Sequence, residues 1–91
     1  MEMNMEREFN IKNILGLHAR AAAQLVHIAN RYASDIMLVK EGMQVNGKSI
    51  MGVLMLAAPK GAKIRVLANG ADANEALAAI GELIDRKFGE E

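Results

Sequence analysis

The feature that most constrains the fold is the way the apolar periodicity alternates between strand and helix within only 91 residues. A strand-like alternation over residues 7–13 gives way to helical spacing over residues 19–32, and similar exchanges follow along the chain. None of the connections between these segments is long enough to form an additional layer. We therefore predict a single small domain over residues 1–91, with residues 1–5 expected to fray.

The predicted strands occupy residues 7–13, 36–39, 43–45 and 63–67. Phe9 and Ile11 alternate with polar residues in the first of them, as Ile64 and Val66 do in the last, which indicates one buried and one solvated face. Glu41 and Gly42 form a typical two-residue hairpin turn between the middle two strands. Residues 58–61, with proline second and glycine fourth, fit a type I turn.

The predicted helices occupy residues 19–32, residues 50–56 and a segment that begins after Asp72. Ser49 is a good N-cap for the short middle helix. Asp72 and Glu75 form a capping-box-like start for the last helix. The predicted core stripes are Ala22, Leu25, Ile28 or Ala29, and Tyr32 in the first helix, and Leu77, Ile80, Ile84 and Phe88 at the end of the chain.

The element order is therefore β-α-β-β-α-β-α. Strands with one polar face and short connections predict helices on one side of an antiparallel sheet, with the other side open to solvent. The fold class is α+β, an open-faced β-sandwich of a four-stranded antiparallel sheet with three helices on one face.

Charge and composition exclude several classes of protein. Eleven basic residues balance eleven acidic ones, which argues against a general nucleic-acid or membrane-surface binder. The chain has no cysteine, so it contains neither a disulfide nor a thiolate metal site. The longest apolar run, residues 50–58, is too short to span a bilayer, and the start of the chain does not resemble a signal peptide. We expect a soluble cytoplasmic protein.

The chemically most informative residue is His18, which lies between a glycine-containing loop and a run of helix formers. The first turn of a helix has backbone N–H groups without intrahelical partners and carries positive potential, both of which favour a bound anion. The same potential disfavours an imidazolium, so we expect a neutral, nucleophilic ring. Arg20 adds a fixed charge suited to phosphate oxygens. The pattern predicts a histidine that accepts a phosphoryl group and passes it on.

Three segments at characteristic spacing carry a resemblance to a known family. They are Gly16-Leu17-His18-Ala19-Arg20, Asn46-Gly47-Lys48-Ser49-Ile50-Met51-Gly52 and Lys60-Gly61. Together they resemble HPr, the histidine-containing phosphocarrier of the bacterial phosphoenolpyruvate-dependent phosphotransferase system. The resemblance covers about residues 6–88. It also supplies the expected strand order, which the sequence pattern alone does not.

The resemblance implies that His18 carries the phosphoryl group on Nδ1 and that Arg20 assists the transfer. The donor would be phosphorylated enzyme I, with phosphoenolpyruvate as the source, and the acceptor a histidine of a downstream protein. Such a monomeric carrier needs no metal or cofactor and turns over no small molecule by itself. The alternative is a nitrogen-branch or regulatory paralogue whose phosphorylation state signals without driving sugar uptake.

The resemblance further implies a partner-docking patch and a regulatory site. Ala19, Ile50, Met51 and Leu54 match the docking positions, and we expect Met51 and Leu54 to be exposed; burial of the apolar residues of the short helix in the core is the competing interpretation. Ser49 matches a serine that a dedicated kinase phosphorylates and a phosphorylase restores, although an N-cap role alone also explains it.

Two residues limit these inferences. Ala21 stands where the family usually has proline, which restores a backbone N–H and weakens assignment to the sugar-transport branch. His27 would point to the opposite side of the helix from His18, which makes a two-histidine relay or metal site a poor fit.

A small nucleic-acid-binding module is the alternative from another functional class. Such modules stack bases on aromatic side chains of their strands, but here only Phe9 offers an aromatic ring on a predicted strand.

Overall fold

The structure, a computed structural model, describes residues 3–90. Its elements are β1 (Met3–Asn10), α1 (Ala19–Ala29), β2 (Asp35–Lys40), β3 (Met43–Asn46), α2 (Ile50–Met55), β4 (Lys63–Gly70) and α3 (Ala73–Asp85), followed by a short 3-10 helix (Lys87–Gly89). The strands form one antiparallel sheet in the order β1-β4-β2-β3. The predicted α+β fold and element order are confirmed. No helix within residues 3–90 is long and apolar enough to cross a membrane.

The alternation along β4 determines which face of the sheet is covered. Ile64, Val66 and Ala68 are buried, whereas Lys63 and Arg65 are exposed on the opposite face. Ile36 and Leu38 of β2 pair with Ala68 and Val66, and the partly buried Met5 and Phe9 of β1 pair with Ala68 and Ile64. These residues share the covered face because cross-strand partners point the same way. Burial of each large apolar side chain there stabilises the fold by about 1.5–3 kcal/mol.

The helices complete the core on that face. The buried stripe of α1 contains Ala22, Leu25 and Ala29, and that of α3 contains Leu77, Ile80 and Ile84. Phe9 of β1 lies so close to Gly81 of α3 that a Cβ at position 81 would come within 2.6 Å of the ring. The glycine therefore permits close packing of this helix on the sheet.

Helix α1 ends at Ala29, earlier than the predicted 19–32. Asn30 caps it, because both its backbone N–H and its side-chain Nδ2 donate to the carbonyl of Val26 at 2.9 Å. Tyr32 still packs against the core, but from a turn after the helix. The apolar spacing that predicted the helix therefore continues past Ala29, where these hydrogen bonds end the helix.

The prediction that residues 1–5 fray is wrong for Met3 to Met5. These residues pair with Gly70 to Ala68, and Met5 packs against the core. Met1 and Glu2 lie outside the described residues. The first strand also ends at Asn10 rather than residue 13, because Ile11 instead exchanges backbone hydrogen bonds with Gly61 and Ala62.

The predicted capping box of α3 does not form. Asp72 makes no side-chain capping bond, and its carboxylate accepts hydrogen bonds from the Ala33 N–H at 2.8 Å, the Ser34 N–H at 2.9 Å and the Ser34 hydroxyl at 2.5 Å. The Ser34 hydroxyl is the main reason that the pKa of Asp72 lies below its ordinary value. Asp72 therefore joins the start of α3 to the connection between α1 and β2.

Of the two predicted turns, one forms as predicted and the other is shifted along the chain. Glu41 and Gly42 form the β2–β3 hairpin turn with φ values of 49° and 83°, as expected. The hydrogen-bonded turn near Pro59 begins one residue later than predicted, since the Ala62 N–H donates to the Pro59 carbonyl at 3.0 Å. Gly61 then takes the position with positive φ, at 90°.

Candidate functional site

The loop before α1 places His18 through a close backbone contact. Gly16 has a φ of 68°, and a Cβ there would come within 2.4 Å of the Ala58 carbonyl oxygen. The adjacent Leu17 is buried, and its N–H donates to the same carbonyl at 2.9 Å. Only glycine fits this approach, and the loop is thereby fixed against the segment after α2.

His18 is the N-cap of α1. Its backbone is extended, its carbonyl accepts the Ala22 N–H at 2.8 Å, and its ring makes no capping bond. The first turn of α1 contains no acidic residue. The N–H groups of this turn and the positive end of the helix dipole therefore favour an anion beside the imidazole. Ala21, the residue that replaces the family's usual proline, is fully buried in this turn.

The structure adds Glu90 to the site, a residue that the sequence analysis missed. Its Oε2 lies 2.5 Å from His18 Nε2 and 3.6 Å from Arg20 Nε. Its Oε1 accepts a hydrogen bond from Asn13 Nδ2 at 3.0 Å. The Glu90 side chain is only 13% exposed, whereas that of Arg20 is 71% exposed. The carboxylate thus contacts both residues that the sequence singled out.

The turn after α3 brings Glu90 to this position. Lys87, Phe88 and Gly89 all have positive φ, at 58°, 55° and 75°. Phe88 is buried as predicted, but it lies beyond the helix and anchors this turn in the core. The Glu90 N–H then donates to the Lys87 carbonyl at 2.8 Å. No local pattern marks a contact between residues 72 positions apart.

Glu90 is ionised more readily than an ordinary glutamic acid. Burial opposes its ionisation, but hydrogen bonds from Asn13 and His18 outweigh that cost, and the charge of Arg20 acts in the same direction. The pKa of Glu90 consequently lies below its usual value. A permanent negative charge therefore faces the imidazole.

The carboxylate defines which ring nitrogen is available for chemistry. A neutral imidazole that donates its proton from Nε2 to Glu90 has its lone pair on Nδ1. The prediction from the sequence took account of the helix end but not of this carboxylate.

The predicted docking residues differ in exposure. Ala19 is exposed, and Ile50 and Met51 are 45% and 70% exposed. Leu54 was expected to be exposed, but it is half-buried against the core because α2 packs on α1. Met55, which the sequence analysis did not single out, is 65% exposed instead. Ile14 and Leu15, at 65% and 63%, are further exposed apolar residues in the loop before His18.

Two further predicted residues, Ser49 and His27, make hydrogen-bond contacts with residues close to them in the chain. The Ser49 hydroxyl accepts the Gly52 N–H at 3.1 Å, so the predicted N-cap of α2 is confirmed. His27 is exposed, and its Nε2 lies 3.5 Å from Arg31. Over residues 3–90, no group of three or more histidine, aspartate or glutamate side chains is placed to hold a metal ion.

Comparison with known proteins agrees with this site. The family model for the "PTS HPr component phosphorylation site" matches residues 5–86. The phosphocarrier protein HPr of Xylella fastidiosa (strain Temecula1) is 45% identical over 87 residues, which cover 96% of this chain and 98% of the relative. The crystal structure of HPr-C-His from Thermoanaerobacter tengcongensis gives a TM-score of 0.92 at 44% identity, with 96% and 98% coverage. A structure described as an HPr dimer from the same organism gives a TM-score of 0.77, at 44% identity and with 90% and 94% coverage, so the monomer stays a prediction. The chain belongs to the HPr family of phosphocarrier proteins.

Proposed function

We propose that His18 accepts a phosphoryl group from phosphorylated enzyme I, with phosphoenolpyruvate as its source, and transfers it to a histidine of a downstream phosphotransferase-system protein. The observation that carries the proposal is the position of His18 at the first turn of α1, with Arg20 beside it and Nε2 against Glu90. The family resemblance assigns the phosphoryl group to Nδ1, the nitrogen that Glu90 leaves free. The protein acts in the cytoplasm as a carrier.

Catalysis in such a transfer rests on positioning and charge. The two histidines approach the phosphorus in line, and the helix N–H groups together with Arg20 stabilise the equatorial oxygens. Because the Arg20 side chain is exposed, its guanidinium is free to contact the phosphoryl group both when it arrives from the donor and when it leaves for the acceptor. The transfer requires no metal or cofactor of this protein.

The docking surface that we propose consists of Ala19, Ile50, Met51 and Met55, with Leu54 contributing its exposed part. Exposed methionines are flexible and polarizable, and they suit a surface that must fit an upstream donor and several acceptors in turn. We propose that the protein meets these partners as a monomer in transient complexes.

Regulation at Ser49 is a second proposal, which the N-cap geometry supports. A phosphate on this hydroxyl would stay at the N-terminus of α2, where the helix dipole tolerates it, and would add about −1.5 to −2 charges beside Met51. Acidic partner surfaces would then be repelled. A kinase and a phosphorylase acting on Ser49 would make the protein a regulator, and Ala21 is compatible with a signalling paralogue of this kind.

The direct test is phosphorylation by phosphoenolpyruvate and enzyme I, followed by intact mass and acid lability. The parent protein is expected to gain one phosphate that acid removes, as phosphohistidine requires. His18→Ala should gain none. His27→Ala is the matched control because His27 is exposed elsewhere on α1, and it should behave as the parent does.

An acid-labile phosphate on His18→Ala, or none on the parent with an enzyme I that phosphorylates another HPr, would contradict the proposal. An acid-stable phosphate that Ser49→Ala abolishes would instead favour the regulatory role.

A further inference from the structure

The Glu90 carboxylate contacts His18 through the nitrogen that the proposed reaction does not use. Oε2 lies 2.5 Å from Nε2, a short contact between a carboxylate oxygen and a ring nitrogen. Asn13 holds the other oxygen of the carboxylate at 3.0 Å, and the Asn13 side chain is itself buried and also donates to the Gly16 carbonyl at 2.8 Å. The carboxylate is therefore fixed to the same loop that positions His18.

We propose that Glu90 is a positioning residue for phosphoryl transfer at His18, holding the proton on Nε2 so that Nδ1 remains the nucleophile, and stabilising the positive charge that the ring gains on phosphorylation. This inference rests on the proposed carrier function and deepens it. The role corresponds to that of the aspartate in a serine-protease triad, which holds a histidine tautomer and stabilises the imidazolium without itself being protonated.

The Nδ1 lone pair forms a bond to phosphorus while the bond from phosphorus to the donor's histidine nitrogen breaks, and that nitrogen recovers its electron pair. The proton on Nε2 stays in place, so the phosphorylated ring of His18 is cationic and faces the Glu90 carboxylate. Transfer to the acceptor reverses these changes and restores the neutral ring.

Arg20 contacts different groups in the resting and in the phosphorylated site. In the resting site its Nε lies 3.6 Å from the same carboxylate oxygen that contacts His18. A phosphoryl group on Nδ1 offers a stronger partner for the guanidinium. Arg20 then turns from Glu90 to the phosphate, while the hydrogen bond between Glu90 and Nε2 remains.

The first experiment measures the tautomer of His18 in the unphosphorylated protein by ¹⁵N–¹H correlation of the ring nitrogens, above the pH at which the ring is protonated. The parent should show the Nε2–H form. Glu90→Ala should show a mixture of both tautomers. In Glu90→Gln the amide oxygen stays on the Asn13 donor and the amide NH2 faces Nε2, so this variant should shift the ring towards the Nδ1–H form. Glu82→Ala is the matched control, because this exposed glutamate of α3 contacts Arg86 and lies outside the site.

The second experiment measures the rate of phosphoryl transfer from phosphorylated enzyme I to the same variants. We expect a loss of about tenfold for Glu90→Ala, far below the ~10⁴-fold loss when a triad aspartate is replaced, because water can reach this site. Glu90→Gln should also be slower than the parent, since it lacks the charge, and Glu82→Ala should match the parent.

The outcomes separate this inference from the carrier function. A parent-like tautomer ratio and a parent-like rate in Glu90→Ala, with amide spectra showing an intact fold, would overturn the role of Glu90 while leaving the carrier intact. A parent that accepts no phosphate would overturn the carrier function, and the tautomer ratios would then decide by themselves whether Glu90 orients the ring.

Discussion

Asn13 and Asp72 show how single polar side chains join distant parts of this chain. Asn13 is fully buried, and its Nδ2 donates both to Gly16 and to Glu90. Its Oδ1 has no hydrogen-bond partner among the described residues, so the amide is oriented by its two acceptors. Asp72 performs the corresponding task at the other end of α1, where it holds the connection to β2 through Ala33 and Ser34.

Asp72→Asn should lower the thermal unfolding temperature at pH 7 by several degrees. A carboxyl whose pKa is lowered by folding contributes stability above its unfolded pKa, and it loses that contribution as the pH falls through the lower, folded pKa. The difference between the parent and the variant should therefore be full at pH 7 and should shrink as the pH falls below the ordinary value of 3.8.

Thermal melts from pH 7 down to pH 2.5 would check this dependence. Asp85→Asn is the control, because Asp85 is exposed and, within residues 3–90, pairs only with Lys12, at 2.9 Å. An exposed pair of this kind contributes little to stability. A gap between parent and Asp72→Asn that stays constant over the whole pH range would contradict the assignment.

At the scale of elements, the site depends on how the loop before α1 meets the segment after α2. Gly16 and Leu17 form this contact through the carbonyl of Ala58, and α1 begins immediately afterwards. This backbone contact thus fixes the loop that carries the His18 ring to the start of α1.

Gly16→Ala should destabilise the protein by about 2–4 kcal/mol, because the new Cβ meets backbone atoms in a conformation with positive φ. Gly42→Ala is the matched control, since Gly42 also has positive φ but its Cβ would meet nothing within 4 Å. It should cost only about 1 kcal/mol. Urea unfolding of both variants measures the difference, and equal losses would show that the contact with Ala58 is unimportant.

At the scale of the whole molecule, the shortness of one helix leaves apolar side chains on the surface. The exposed apolar residues Ile50, Met51 and Met55 all belong to α2, which has only six residues and buries Val53 most completely. A helix this short cannot turn every apolar side chain inward. The apolar side chains that remain exposed form part of the surface that we propose for docking.

Met51→Asp should raise the KM for phosphorylated enzyme I about tenfold, as loss of a central apolar contact costs on the order of 1–2 kcal/mol in an interface. The kcat should change little, because Met51 is not part of the cluster around His18. Initial transfer rates at increasing concentrations of enzyme I would separate the two constants.

Met43→Asp is the control for this change, since Met43 is 47% exposed in the β2–β3 hairpin. Its unfolding temperature and KM should both resemble those of the parent. If Met51→Asp had an unchanged KM, the docking surface would have to lie elsewhere, and the exposed Ile14 and Leu15 beside His18 would become the next residues to change.

The elements, their order and the position of His18 at a helix start were predictable from the amino-acid pattern. These properties follow from periodicity, turn residues and N-capping, all of which act between residues close in the chain. The strand order came from the family resemblance, not from pattern. Sequence reasoning was least accurate at the ends of elements, as for α1 and β1, where capping and pairing with neighbours decide.

Only the tertiary structure decided which distant side chains meet. Asp72 satisfies Ala33 and Ser34 rather than capping its own helix, and Leu54 is half-buried because α2 lies on α1. Glu90 reaches His18 because the turn at Phe88 reverses the chain. Local patterns report backbone geometry, whereas these contacts depend on how whole elements pack, and that is why the nucleophile was predictable and its carboxylate partner was not.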